Sequence, residues 1–459
     1  MENLLYKQKN IWETLSDTDR AAIVAYAEAY KTFLTQNKTE RQIVRTAIAM
    51  AETAGFQPYR AGMDLKLGDK VYVNNRDRAL YLAVIGEKSL AEGANIAMAH
   101  ADAPRLDLKP LPLFEDSEMA YFKTHYYGGV RKYQWVATPL ALHGVVVKRD
   151  GEIVDISIGD EAEEPCFTIT DLPPHLSKDQ NKKNLSESFQ GEGLNVLVGG
   201  ELGDAGSADK DRVKQRVLQL LHDKYGITEE DFTSAELMFV PAGAARDVGL
   251  DQNFIGGYGQ DDRVCAWAGL TALLGLETTP EKTAIVALVD KEETGSDGVS
   301  GAQSQALEHF MGDLCDTQGV KLSHCFAKSF CLSMDVCNGL DPNYPEVSEK
   351  RNNAKLNYGV AVVKYTGSRG KSGTSDASAE LVGKLRRVFD QAGVTWQMGE
   401  LGKVDQGGGG TAAKFLASRN IETIDAGVPV LSMHAPFEIT AKADGYMLYK
   451  AAQAVFQHM

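Results

Sequence analysis

Apolar residues recur at mixed three- and four-residue spacing across residues 17–34, where Ile23, Val24, Tyr26, Ala27 and Tyr30 mark a buried helical face. Residues 39–51 repeat the pattern with Val44, Ala47, Ile48 and Ala51, so the first sixty residues read as helical. The pattern then shortens. Residues 81–86 form a brief apolar run closed by glycine, as expected of a sheet strand, and Ile96-Ala97-Met98-Ala99 is a second run leading directly into His100.

From Leu106 to about Val240 the chain favours β-branched runs separated by turns. Residues 135–159 carry two such runs around Arg149-Asp150-Gly151, which predicts a hairpin. A polar, lysine-rich stretch over 177–193 and a helical one over 209–225 follow. After Gly249 strand and helix alternate again. Residues 283–290 are the clearest strand; others are expected at 359–364, 395–398 and 423–431, with helices at 375–392 and 410–419.

This alternation predicts a layered α/β domain with a mixed or mainly parallel sheet, interrupted by a smaller, mainly β domain. The expected division is residues 1–105 and 246–459 for the main domain and 106–245 for the insertion. In such folds the site lies outside the carboxyl ends of the strands, where the polar clusters of this chain fall.

Composition narrows the class. A chain of 459 residues, 43% hydrophobic and 24% charged, is globular and long enough for more than one domain. Its net charge of -15 repels a phosphate backbone, so nucleic acid is not an expected partner. No apolar run reaches membrane-spanning length, and the opening residues lack a basic region followed by an apolar core. Cys166, Cys265, Cys315, Cys325, Cys331 and Cys337 are scattered without a small-domain disulfide spacing and read as free thiols. The expected compartment is the cytoplasm.

Five polar clusters carry the candidate chemistry: His100-Ala101-Asp102, Asp261-Asp262, Asp290-Lys291-Glu292-Glu293, Asp335 and His434. Singly each has an ordinary explanation: a packed histidine, a helix cap, a solvated loop. Together they hold two histidines and enough carboxylates for a pair of zinc ions. One carboxylate can bridge, another can act as base and a third can orient a histidine. Competing chemistries lack their patterns. No G-x-S-x-G elbow or H-E-x-x-H is present, and adjacency of His324 and Cys325 is not geometry. The run Gly407–Gly410 has no Gly-Lys-Ser/Thr and suits a close backbone approach or a helix start.

Six segments spread along most of the chain resemble the M18 family of metallo-aminopeptidases. They are residues 75–86, 100–110, 259–263 (GQDDR), 290–304 (DKEETGSDGVSGAQS), 333–346 and 429–438 (PVLSMHAPFE). The resemblance implies that His100 binds one zinc, with Asp102 holding its ring. It implies that Asp261 bridges both ions, Asp335 completes the first site, and Glu293 and His434 complete the second. Glu292 would be the general base, and His143, within the insertion, would stabilise the tetrahedral intermediate in a neighbouring subunit's site. Two zinc ions per subunit are implied, with cobalt or manganese able to substitute. Peptides with free N-termini are the implied substrates, and a homo-oligomer, a dodecamer built from dimers, is the implied assembly.

Preference for acidic N-terminal residues would need a basic group. Lys364, Arg369 and Lys371 lie where the family sets specificity. Asn338 and Asp341 stand where the aspartyl-specific members carry histidines, and SRGKSGTSDAS departs from their specificity segment, which places the chain in a bacterial-type subgroup and leaves neutral or broad specificity open. A related di-zinc carboxypeptidase or deacylase and an inactive assembly scaffold are the alternatives.

Overall fold

Ser16 and Thr39 each close a capping box, with Asp19 and Gln42 as the reciprocal partners, and so start the two opening helices at Asp17–Gln36 and Glu40–Thr53. The structure is a computed structural model that describes residues 4–203 and 210–459. Two compact units account for the described chain. The first comprises residues 1–102, 245–433 and 438–459, and the second residues 103–244 and 434–437.

A nine-stranded sheet forms the frame of the first unit. Its central strands, Thr283–Val289, Ala94–His100, Phe330–Ser333 and Glu422–Gly427, run parallel in that order. Antiparallel pairs flank them, so the sheet is mixed. Ala94–His100 and Thr283–Val289 are buried at every position, which explains their unbroken apolar runs. Helices Gln260–Leu274 and Lys442–His458 contribute Val264, Leu270, Leu448 and Val455 to the core on one face. Helices Ala306–Thr317 and Leu322–Lys328 fill the core on the other. The layered α/β reading is therefore the observed architecture.

Local expectations hold unevenly. Residues 423–431 were expected as one strand but form two, Glu422–Gly427 in the large sheet and Pro429–Leu431 in a separate five-stranded sheet, with the change of sheet at Val428. The helix expected over 410–419 is only Ala413–Ala417. Its glycine-rich approach is spent on backbone contact instead: Gly408–Gly409 pairs with Gly367–Ser368, and a Cβ on Gly407 would lie 1.8 Å from the Leu401 carbonyl oxygen.

The second unit holds a six-stranded sheet in which every pairing is antiparallel. Leu140–Val147 and Ile153–Ile158 form the predicted hairpin. Arg212–Tyr225 is the predicted helix; Asp209, its expected first residue, lies outside the described residues. All six cysteines are free, and Cys166 alone among them is exposed. No helix among the described residues is long and apolar enough to cross a membrane.

Candidate active site

Three adjacent parallel strands deliver the functional residues at their carboxyl ends. Ala94–His100 ends on His100, and Asp102 follows two residues later. Thr283–Val289 runs through Asp290 into a single 3-10 turn, Glu292–Thr294. Lys291 enters that turn at φ 69°, which lets the chain reverse within one residue. Phe330–Ser333 leads to Asp335. Asp261 and Asp262 come from the start of the helix Gln260–Leu274, where their backbone is not helical and the peptide between them is cis.

The clusters converge on His100. Its Nε2 lies 3.1 Å from Asp261 Oδ1 and 3.9 Å from Glu292 Oε2, and its backbone N–H donates to Asp262 Oδ2 at 3.3 Å. Its Nδ1 faces the Asp102 backbone carbonyl at 3.0 Å, closer than the Asp102 carboxylate at 3.3 Å. Asp102 therefore orients the ring chiefly through its main chain. Its carboxylate has a second task, because Oδ1 and Oδ2 accept the backbone N–H groups of Glu292 and Glu293, each at 3.2 Å. Asp290 pins the other side of that turn, accepting from the Lys291 N–H and the Ser300 hydroxyl, each at 2.8 Å.

Two groups of side chains could each hold a metal ion: His100 with Asp261 and Glu293, and His100 with Asp262 and Asp335. His100 is common to both. Burial works against charge on its ring, yet hydrogen bonds donated by the ring to the Asp102 and Asp261 carboxylates, helped by the charge of Asp262, hold its pKa well above the ordinary histidine range. The Asp262 carboxyl is pushed far up by burial, and that of Asp335 by burial together with Asp262 and Glu292. Asp262 Oδ1 is buried with no hydrogen-bond partner. A buried oxygen left without a donor, amid carboxylates raising one another's pKa, fits divalent cations, and a nitrogen-and-oxygen donor set suits zinc.

Glycine makes one part of this geometry possible. A Cβ on Gly427 would lie 1.9 Å from the Asp335 carbonyl oxygen. Gly427→Ala should therefore push Asp335 out of place. A loss of about 1–3 kcal/mol in urea unfolding, with lowered zinc content, is the expected result.

The remaining sequence candidates are in neither metal-holding group. His434 belongs to the second unit, where its Nδ1 faces the Gly129 carbonyl at 2.9 Å. His143, on Leu140–Val147, is buried with its Nε2 2.7 Å from Asp160 Oδ2. Lys371 donates to Asp376 Oδ2 at 2.8 Å and sits over the Tyr365 ring, and Lys364 lies 3.8 Å from the same aspartate. Arg369 lines a small cleft with Lys371, Glu400 and Lys403. The sequence reading had Asp261 and Asp262 as a pair that the residues alone do not separate, with Asp261 chosen on the family resemblance, and it missed Glu438 as a buried neighbour of Asp261. The one signal for Glu438 was its place at the end of PVLSMHAPFE.

The family model for aminopeptidase I zinc metalloprotease (M18) matches residues 33–456. The chain belongs to the M18 family. A probable M18 family aminopeptidase 1 from Clostridium acetobutylicum is 47% identical over 453 residues, 97% of either chain. The crystal structure of the M18 aminopeptidase from Thermotoga maritima superposes with a TM-score of 0.94 at 44% identity, covering 99% of this chain and 100% of that one. More distantly, the mApe1 dodecamer of S. cerevisiae shares the fold, with a TM-score of 0.75 at 21% identity over 94% of this chain and 96% of that one. With these relationships the carboxylate and histidine cluster of this M18 protein is the active site of a zinc-dependent aminopeptidase.

Proposed function

We infer that this M18 aminopeptidase removes single residues from peptides with free N-termini, using Glu292 as its general base. The observation that carries this reading is the convergence on His100 of two carboxylate groups, with Glu292 Oε2 3.9 Å from the same imidazole nitrogen. By the family resemblance His100, Asp261 and Asp335 would hold one zinc, and Asp261, Glu293 and His434 the other, while Asp262 lies within ligand distance of His100 and Asp335. A histidine whose Nδ1 faces a backbone carbonyl, as His434 does, is in the arrangement that presents Nε2 to an ion. When bound, the zinc pair supplies Lewis-acid polarisation and a water acidified toward neutral pH.

The residues of the chain do the rest. Glu292 takes the proton of the attacking water at its carboxylate and returns it to the departing amine. Asp102 keeps Glu292 in place through its backbone N–H, so base and His100 are positioned by one side chain. The carboxylates gathered here would receive the substrate's α-ammonium group, which limits cleavage to one residue. For His143 to stabilise the oxyanion in a neighbouring subunit's site, its Nε2 would have to leave Asp160, and a dodecamer in the cytoplasm would be its setting. Zinc is the proposed metal, with cobalt or manganese as substitutes.

Side-chain preference divides two ways. Arg369, with Lys364 and Lys371, would favour Asp or Glu at the N-terminus. Neutral or broad specificity is favoured by a specific observation: both lysines lie within ion-pair distance of Asp376. A panel of aminoacyl-p-nitroanilides with zinc-loaded protein separates these readings. Release from Asp and Glu substrates supports the first, and release from Leu, Met or Ala the second. Hydrolysis of N-acetylated peptides as fast as free ones would replace the aminopeptidase by a deacylase or endopeptidase.

A further inference from the structure

Gln260, the residue before Asp261, has every hydrogen-bonding position of its side chain filled. Its Oε1 accepts from the Tyr30 and Thr440 hydroxyls, each at 2.9 Å. Its Nε2 donates to the Ile255 carbonyl at 2.7 Å and to the Glu438 carbonyl at 3.2 Å. All of these groups are buried. An amide used to its full capacity inside a core is held in one orientation. Three elements thus fix residue 260: the helix Asp17–Gln36 and the strands Phe254–Gly257 and Glu438–Ala441.

Glu438 then reaches one residue further. Its Oε2 accepts the Asp261 backbone N–H at 3.2 Å. That amide needs an acceptor from outside its own helix, because Asp261 is not helical and Gly259 at the N-cap has no side chain to offer. A neutral acceptor would satisfy the bond. A carboxylate that is 1% exposed and lies close to a cluster of aspartates is a costly choice unless cations nearby compensate it.

We propose that Glu438 is a positioning residue of the metal site: by clamping the Gln260 side chain with its carbonyl and the Asp261 amide with its carboxylate, it sets where the Asp261 carboxylate meets the metal ions. Glu438 acts through Asp261 and touches neither substrate nor reacting atoms. The proposal rests on the metal-site reading given above.

The test is zinc affinity of the full-length protein, by competition against a chromophoric chelator, together with kcat and KM at saturating zinc. Glu438→Ala should weaken zinc binding about 10–100-fold, as loss of an outer partner of a metal ligand does, and lower kcat more than it raises KM. Glu438→Gln, which keeps an oxygen for the Asp261 amide, should restore most of the affinity. Parental zinc affinity in Glu438→Ala overturns the proposal. So does a Glu438→Gln variant as damaged as Glu438→Ala, since charge and not the amide bond would then be responsible. If Glu438→Ala does not fold, Tyr30→Phe decides. It removes one hydrogen bond to Gln260, so weakened zinc binding supports the clamp and unchanged binding overturns it. Asp261→Asn serves as the reference. Parental zinc binding in that variant would bring down the metal-site reading itself, whereas loss there with none in Glu438→Ala brings down only the role of Glu438.

Discussion

Glu292→Gln leaves zinc binding in place and lowers kcat by about 10²–10⁴-fold, the usual contribution of a positioned general base. The amide is close in size to the carboxylate, and the turn that carries it is fixed by main-chain bonds the substitution does not touch. Asp102 accepts the backbone N–H groups of residues 292 and 293, and Asp290 accepts that of Lys291. KM should therefore change little. Zinc content by atomic absorption and single-turnover kinetics on one aminoacyl-p-nitroanilide separate the outcomes. A large fall in kcat at full metal occupancy supports the base. A fall matched by loss of zinc would make residue 292 a ligand, and an active variant would move the base elsewhere.

His100→Ala has the other large effect, and it acts on the metal. His100 is the one histidine proposed for the first zinc, and its Nε2 lies 3.1 Å from Asp261, the carboxylate proposed to hold both ions, so its loss empties the first site and disturbs the shared ligand. Zinc polarisation is worth several kcal/mol of transition-state stabilisation, so activity should fall by about a thousandfold or more. Stability responds in the same direction. Zinc at about a hundred times its Kd adds about 2.7 kcal/mol to the parent, and the variant should lose most of that gain. Thermal melts with and without excess zinc check this: an undiminished zinc-dependent rise in Tm for His100→Ala would remove His100 from the site.

Much of this site was legible in the sequence because buried parallel strands announce themselves. His100 and Glu292 each follow an unbroken apolar run, and the rule that α/β sites gather at carboxyl strand ends brought them together before any coordinates did. Asp261 and Asp262 were visible as a pair, yet their helix was not. Nearly every residue of Gln260–Leu274 is buried, so no polar face gives it a helical period. The break after Gly427 was hidden for a different reason. Residues 423–431 are apolar but for Thr423 and Asp425 and read as one run across Val428, and the demand for room beside Asp335, which marks the glycine, is three-dimensional. Glu438 closes the segment PVLSMHAPFE, yet nothing in that segment says which group its carboxylate meets. Its partner, the amide of Asp261, lies far away in the chain.

The strand order carries a consequence for how the protein is made. Ala94–His100 emerges from the ribosome early, but its sheet neighbours are Thr283–Val289 and Phe330–Ser333, with residues 103–244 of the second unit translated in between. Until then the strand has no partner for either edge, and Ile96 and Met98 have no core to enter. A nascent chain of this topology has to keep an aggregation-prone segment apart from its fellows for most of its synthesis. With Asp335 as a proposed ligand, such a chain would also have no complete metal site until that residue is made. Truncated products that end before that point would then lack the site, so a peptidase released half-built would be inactive.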